Sequence, residues 1–70
     1  LRNPPMSDNP EELKAQIKKL SAQAMTWKMN LHDLSEELPV NWENIMETAQ
    51  KTHDAYAALT AARQRLAELG

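Results

Sequence analysis

Apolar residues recur along the first half of the chain at steps of four and three: Leu13, Ile17, Leu20, Ala24, Trp27, Leu31, Leu34 and Leu38. That is the seven-residue repeat of a helix that buries one narrow seam against a neighbour, with Ile17, Ala24, Leu31 and Leu38 at a and Leu13, Leu20, Trp27 and Leu34 at d. The stretch SDNPEEL supplies a start signal. Asn9 stands as N-cap, Pro10 takes the first helical position, where its missing N–H costs nothing, and Glu12 sits where a capping box requires it. Pro39 disfavours helical geometry at Leu38, and Asn41 is placed to cap a second helix, with Val40 and Ile45 as a hydrophobic staple. The second helix repeats the rule through Trp42, Ile45, Ala49, Thr52, Tyr56, Leu59, Arg63 and Leu66, its seam weakened by Thr52 and Arg63. A link of about four residues forces two long helices to lie antiparallel. The expected fold is therefore all-α: an antiparallel two-helix hairpin with helices at about 10–37 and 42–68, forming a rod roughly 40 Å long at 1.5 Å per residue.

With 70 residues in the chain, residues 1–9 are expected as a flexible N-terminal tail and 10–69 as a single helical hairpin domain. The opening LRNPP has no periodicity, and MSDNPEEL reads as the true start, so residues 1–5 are expected to precede it. A core this small rarely contributes more than a few kcal/mol below about 80 residues, and such chains rely on a staple. There is no cysteine, so neither a disulfide nor a thiolate metal site is available. Pairing with a second copy into a four-helix homodimer is the remaining route. A second stripe points the same way: Ala22, Met25, Met29 and His32 follow one another at steps of three, four and three, off the main seam. Either this face packs in a bundle, or it docks another protein, since methionine adapts to varied surfaces. In a fully overlapped antiparallel dimer His53 falls near the two-fold axis, with Tyr56 one turn on, so Ala22, Met25, Met29, His53 and Tyr56 are the candidate interface residues.

Charge adds an orientation. Lys14, Lys18, Lys19, Arg63 and Arg65 gather at the open end of the hairpin, and Asp33, Glu36, Glu37, Glu43 and Glu47 gather at the turn. This order opposes the dipole of the first helix, so another interaction must favour it, such as a two-fold partner laying its basic end beside each acidic turn. The formal net charge of −2 and a pI near 5.6 argue against a general binder of nucleic acid. No apolar run reaches the roughly 18 residues of a membrane span, and a cytoplasmic location is expected. Catalytic signatures are missing: there is no cysteine nucleophile, no glycine-rich phosphate loop and no HExxH, and an enzyme is not expected. Ser35 near His32 and Asp33 makes no triad, because the three side chains leave the helix in different directions. His32 and Glu36, four apart on one helical face, are a candidate half-site for a divalent transition metal, with Met29 a turn below and Glu43 or Glu47 across the turn. Against this stands the ordinary reading of His32 as a surface residue and His53 as a partly packed one. The two tryptophans, Trp27 and Trp42, occupy seam positions and are expected in the core rather than stacking on bases.

Three segments, LKAQIKKL, WKMNLHDLSEELPVNWENIM and AQKTHDAYAAL, are together similar to the small Rop-like proteins encoded in nitrogen-fixation gene clusters of diazotrophic bacteria and cyanobacteria. The likeness covers about residues 11–66, and KMNLHDLSEELPVNW is its most distinctive piece. Trp27 departs from it where an aliphatic residue is expected, and His53 where the pattern more often has an aromatic. The resemblance implies a two-helix hairpin pairing into a rod-shaped four-helix dimer, like the plasmid regulator Rop. It also implies a role associated with nitrogen fixation, and the expectation we attach to that role is a helical adaptor or assembly factor docking on nitrogenase or a nitrogenase-assembly protein. The alternative it implies is an accessory protein binding a metal of the Fe or Ni type, in which only His32 sits inside the matching motif. Rop's own RNA binding does not carry over to an acidic chain that shares its architecture.

Overall fold

The order of elements follows from where the backbone can stay helical. In a computed structural model that describes residues 9–69, α1 spans Pro10–Glu37 and α2 spans Ile45–Leu69. A turn over residues 38–41 and a short 3-10 turn over Trp42–Asn44 join them. The tail expected over residues 1–9 lies, apart from Asn9, outside the described residues. Asn9 is the cap the sequence promised: its backbone is extended at φ −82° and ψ 118°, and its side-chain oxygen accepts hydrogen bonds from the N–H groups of Glu11 (2.9 Å) and Glu12 (3.4 Å). At the other end Leu38 leaves the helix at φ −55° and ψ 142°, as a residue preceding proline prefers.

The turn departs from expectation in three ways. Asn41 does not cap α2 with its side chain. It sits in the left-handed region at φ 63° and ψ 26°, its carbonyl accepts from the Asn44 N–H at 3.0 Å, and its side-chain amide donates back to Glu37 Oε1 at 3.4 Å. This reversal takes one positive φ, at Asn41, and asparagine is among the few residues with a side chain that adopt it readily. Val40, expected to staple against Ile45, is left exposed. Leu38 and Trp42, both assigned to the seam, are 40% and 62% exposed. Leu38 is already outside α1, and Trp42 belongs to a 3-10 turn whose threefold repeat does not run in phase with α2.

Between the helices the seam holds, with one shift. Leu13, Ala24, Leu34, Leu59 and Ala62 are buried, while Ile17, Leu20, Trp27, Leu31, Ile45, Thr48, Thr52, Ala55 and Leu66 are half-buried. On α2 the positions assigned to Tyr56 and Arg63 are exposed, and Ala55 and Ala62 face the partner helix in their place. Alanine lets two backbones approach closely, whereas burying a phenol or guanidinium requires a hydrogen-bond partner for its polar end. The Thr52 hydroxyl donates across the seam to the Trp27 carbonyl at 3.3 Å and also lies 2.8 Å from the Thr48 carbonyl. That contact sets the level of the hairpin: counting 1.5 Å per residue from it, Leu20 stands level with Leu59, Ile17 with Ala62 and Leu34 with Ile45. The whole is a rod with extents of 45 × 24 × 15 Å. No helix among the described residues is long and apolar enough to cross a membrane.

Candidate functional site

Because 28 residues of α1 bury only one narrow line, most of its surface faces outward, and the second methionine stripe is on that surface. Met25 is 61% exposed and Met29 56%, with Ala22 and His32 exposed beside them. On α2, Tyr56 and His53 are also exposed. At 100° per residue Met25 and His32 turn out of the seam on the side where Tyr56 and His53 leave it, while Ala22 and Met29 turn further outward. The level set by Thr52 places Ala22 and Met25 beside Tyr56 and His53. A shallow groove of about 500 Å³ runs along this side of α2, lined by His53, Tyr56, Ala57, Thr60, Ala61 and Gln64 among others.

The opposite side of the hairpin carries a smaller groove of about 290 Å³ between the helices, lined by Leu20, Gln23, Trp27, Lys51, Asp54 and Ala58 among others. Here the Lys51 ammonium lies 5.2 Å from the centroid of the Trp27 ring. It covers the indole face by a cation–π contact while also lying 3.5 Å from Glu47 one turn earlier. Sequence spacing does not reveal this pair, because it depends on the level at which the helices cross. The Asp54 carboxyl, held by hydrogen bonds first from His53 (3.2 Å) and then from Gln50 (2.9 Å), titrates below the ordinary carboxylate range.

His32 and Glu36 do come together: His32 Nε2 lies 3.6 Å from Glu36 Oε2. The structure adds Asp33, whose Oδ1 is 3.6 Å from Nδ1 of the same ring, and the ligand atoms of the three residues lie within 4.8 Å of one another. The signal for Asp33 was its adjacency to His32 in the sequence. All three are exposed. Glu43 and Glu47 stay outside this group. One imidazole nitrogen and two carboxylates suit a divalent cation of borderline hardness. The carboxylates address opposite ring nitrogens, so a bound ion would take the His32–Glu36 edge or the His32–Asp33 edge, with its other positions open to water. His53 takes no part, its ring being beside Asp54.

Residues 8–70 match the family described as Rop-like. The chain is 58% identical over 59 residues to a UPF0437 protein of Azorhizobium caulinodans, covering 84% of this chain and 86% of that one. It is 42% identical over 59 residues to a UPF0437 protein of Trichormus variabilis, covering 84% of this chain and 69% of that one. A relative from Frankia alni, 44% identical over 43 residues (61% of this chain, 52% of that one), is named for its place in a nifX-nifW intergenic region. An NMR structure determined by a structural genomics consortium superposes with a TM-score of 0.82 at 55% identity, covering 91% of this chain and 90% of that one. By sequence and by the hairpin it folds into, this chain belongs to the Rop-like family.

Proposed function

We propose that this protein is a non-enzymatic accessory protein of nitrogen fixation, acting as a dimeric helical adaptor that docks on a protein of the nitrogenase pathway. The observation that carries this reading is the uncovered apolar side of the hairpin. Met25, Met29 and Tyr56 stand exposed beside Ala22 and His53, although among the described residues only five apolar side chains are buried to hold the hairpin together. Contiguous apolar surface on a small protein is best explained by a neighbour that covers it, first a second copy and then a partner. The genomic position in the name of the Frankia alni relative supports the pathway. Sedimentation equilibrium on the native chain and on Met25→Lys with Tyr56→Lys tests the dimer, which the double variant should dissociate. A tagged pull-down from nitrogen-fixing cells tests the partner, with recovery of one nitrogenase-pathway protein expected. A compact monomer at micromolar concentration, with nothing from the pathway recovered, would overturn the reading.

A second reading is favoured by the His32, Asp33 and Glu36 group: an accessory protein that handles a divalent metal. Calorimetric titration with Fe(II), Ni(II) and Zn(II), on the native chain and on His32→Ala, decides it. Micromolar binding lost in the variant supports metal handling, and equal or absent heats in both remove it.

A further inference from the structure

The charge of the whole chain conceals a sharp division along the rod. Between Lys28 and Lys51 there is no lysine or arginine, and in the same stretch lie Asp33, Glu36, Glu37, Glu43 and Glu47, half of the ten carboxylates of the chain. Within this acidic end, between residues 38 and 46, the structure leaves four large apolar side chains uncovered: Leu38, Val40, Trp42 and Met46, the last 79% exposed. The heptad register would bury Leu38 and Trp42, and the turn takes them out of it. All four fall within nine residues at the closed end of the hairpin, interspersed with Glu43 and flanked by Glu36, Glu37 and Glu47, and Met46 is seven residues before His53 along the chain.

We propose that this closed end is a separate docking site for a basic amphipathic helix of a partner protein. Its occupant must bring apolar and cationic side chains together, the first to cover Trp42 and Met46 and the second to meet the carboxylates around them. A second copy of this chain is the poorer fit. Its basic end carries Lys14, Lys18, Lys19, Arg63 and Arg65, but the only large apolar side chain exposed there, among the described residues, is Leu69. That end offers charge without the apolar surface the tip requires. Tryptophan is also among the residues that most often anchor an interface energetically, and Trp42 is exposed with Asn41, Glu43 and Asn44 beside it in the chain. The inference deepens the adaptor reading by assigning the partner's chemistry and its place on the rod.

The test uses the full chain carrying Trp27→Phe, which makes Trp42 the sole tryptophan. The probes are two synthetic amphipathic helices about 18 residues, or five turns, long with the same leucine face, one otherwise lysine and the other otherwise glutamate. Saturable binding of the lysine peptide with a blue shift of Trp42 emission is expected, and no shift with the glutamate peptide. By calorimetry, Glu43→Lys with Glu47→Lys, and separately Trp42→Ala, should each weaken binding about tenfold or more. Glu11→Lys with Glu68→Lys at the open end, and Met25→Ala with Met29→Ala, should leave it unchanged, with circular dichroism confirming that every variant folds. The proposal is overturned if the lysine peptide does not bind, if both peptides bind alike, or if the tip variants bind as the native chain does. It is equally overturned if Trp42 shifts with protein concentration alone, which would make the tip a contact between copies. Sedimentation of the same samples reports dimerisation separately, so loss of the dimer reading and loss of tip binding are distinguishable.

Discussion

Asn41 decides the reversal of the chain, and its conformation makes a prediction that a capping role would not. At φ 63° a Cβ is disfavoured, so Asn41→Ala should lose about 1 kcal/mol, whereas Asn41→Gly should be neutral or slightly stabilising. Denaturant unfolding of the two variants checks this, since a side-chain cap would predict loss in both. A second residue-scale expectation concerns acid. The folded Asp54 carboxyl titrates below its unfolded value, so its contribution is present above the unfolded pKa and is lost as pH falls through the lower folded one. Removing the ring by His53→Ala should raise the Asp54 midpoint toward the ordinary carboxylate value, read by carboxyl NMR titration. An unmoved midpoint would show that the contact with His53 does not form in solution.

The bounds of α1 were legible because its apolar spacing, its cap at Asn9 and the proline at residue 39 agree with one another, whereas α2 begins three residues later than expected, after the 3-10 turn over Trp42–Asn44. The exact seam of α2 was not legible, because Ala55 and Tyr56, or Ala62 and Arg63, are adjacent positions that a three-and-four count cannot separate. What separates them is the close approach of two backbones, which admits a methyl group and excludes a guanidinium. Ala62→Leu should therefore overpack the hairpin and cost about 1–3 kcal/mol, while Ala57→Leu on the exposed groove should leave unfolding within about 0.5 kcal/mol of native. Thermal melts of both at one concentration test the register; equal effects would return Arg63 and Tyr56 to the seam.

Across the whole molecule, segregated charge and an uncovered apolar side both call for neighbours, and they predict different salt responses. If the proposed dimer sets each basic end beside its partner's acidic turn, raising ionic strength from about 0.01 M to about 1 M should weaken it, since the distance over which exposed charges attract falls from about 30 Å to about 3 Å. Dissociation constants from sedimentation at low and high salt should rise accordingly, and a dimer that tightens with salt would be held by apolar contact alone. The candidate metal group was half legible. His32 and Glu36 follow from a four-residue step, but Asp33 joins them only because its side chain bends back toward the ring.

Local rules were enough to specify two helices, the start and end of α1, a reversal at Pro39 and the antiparallel run, because each depends on neighbours within a few residues along the chain. Only packing in three dimensions could choose alanine over tyrosine and arginine at the helix contact, bring Lys51 over Trp27, and turn Leu38 and Trp42 from core positions into an exposed tip. Those outcomes rest on the level at which the helices cross and on where the turn lets the helical phase lapse, distances that a periodic pattern does not contain.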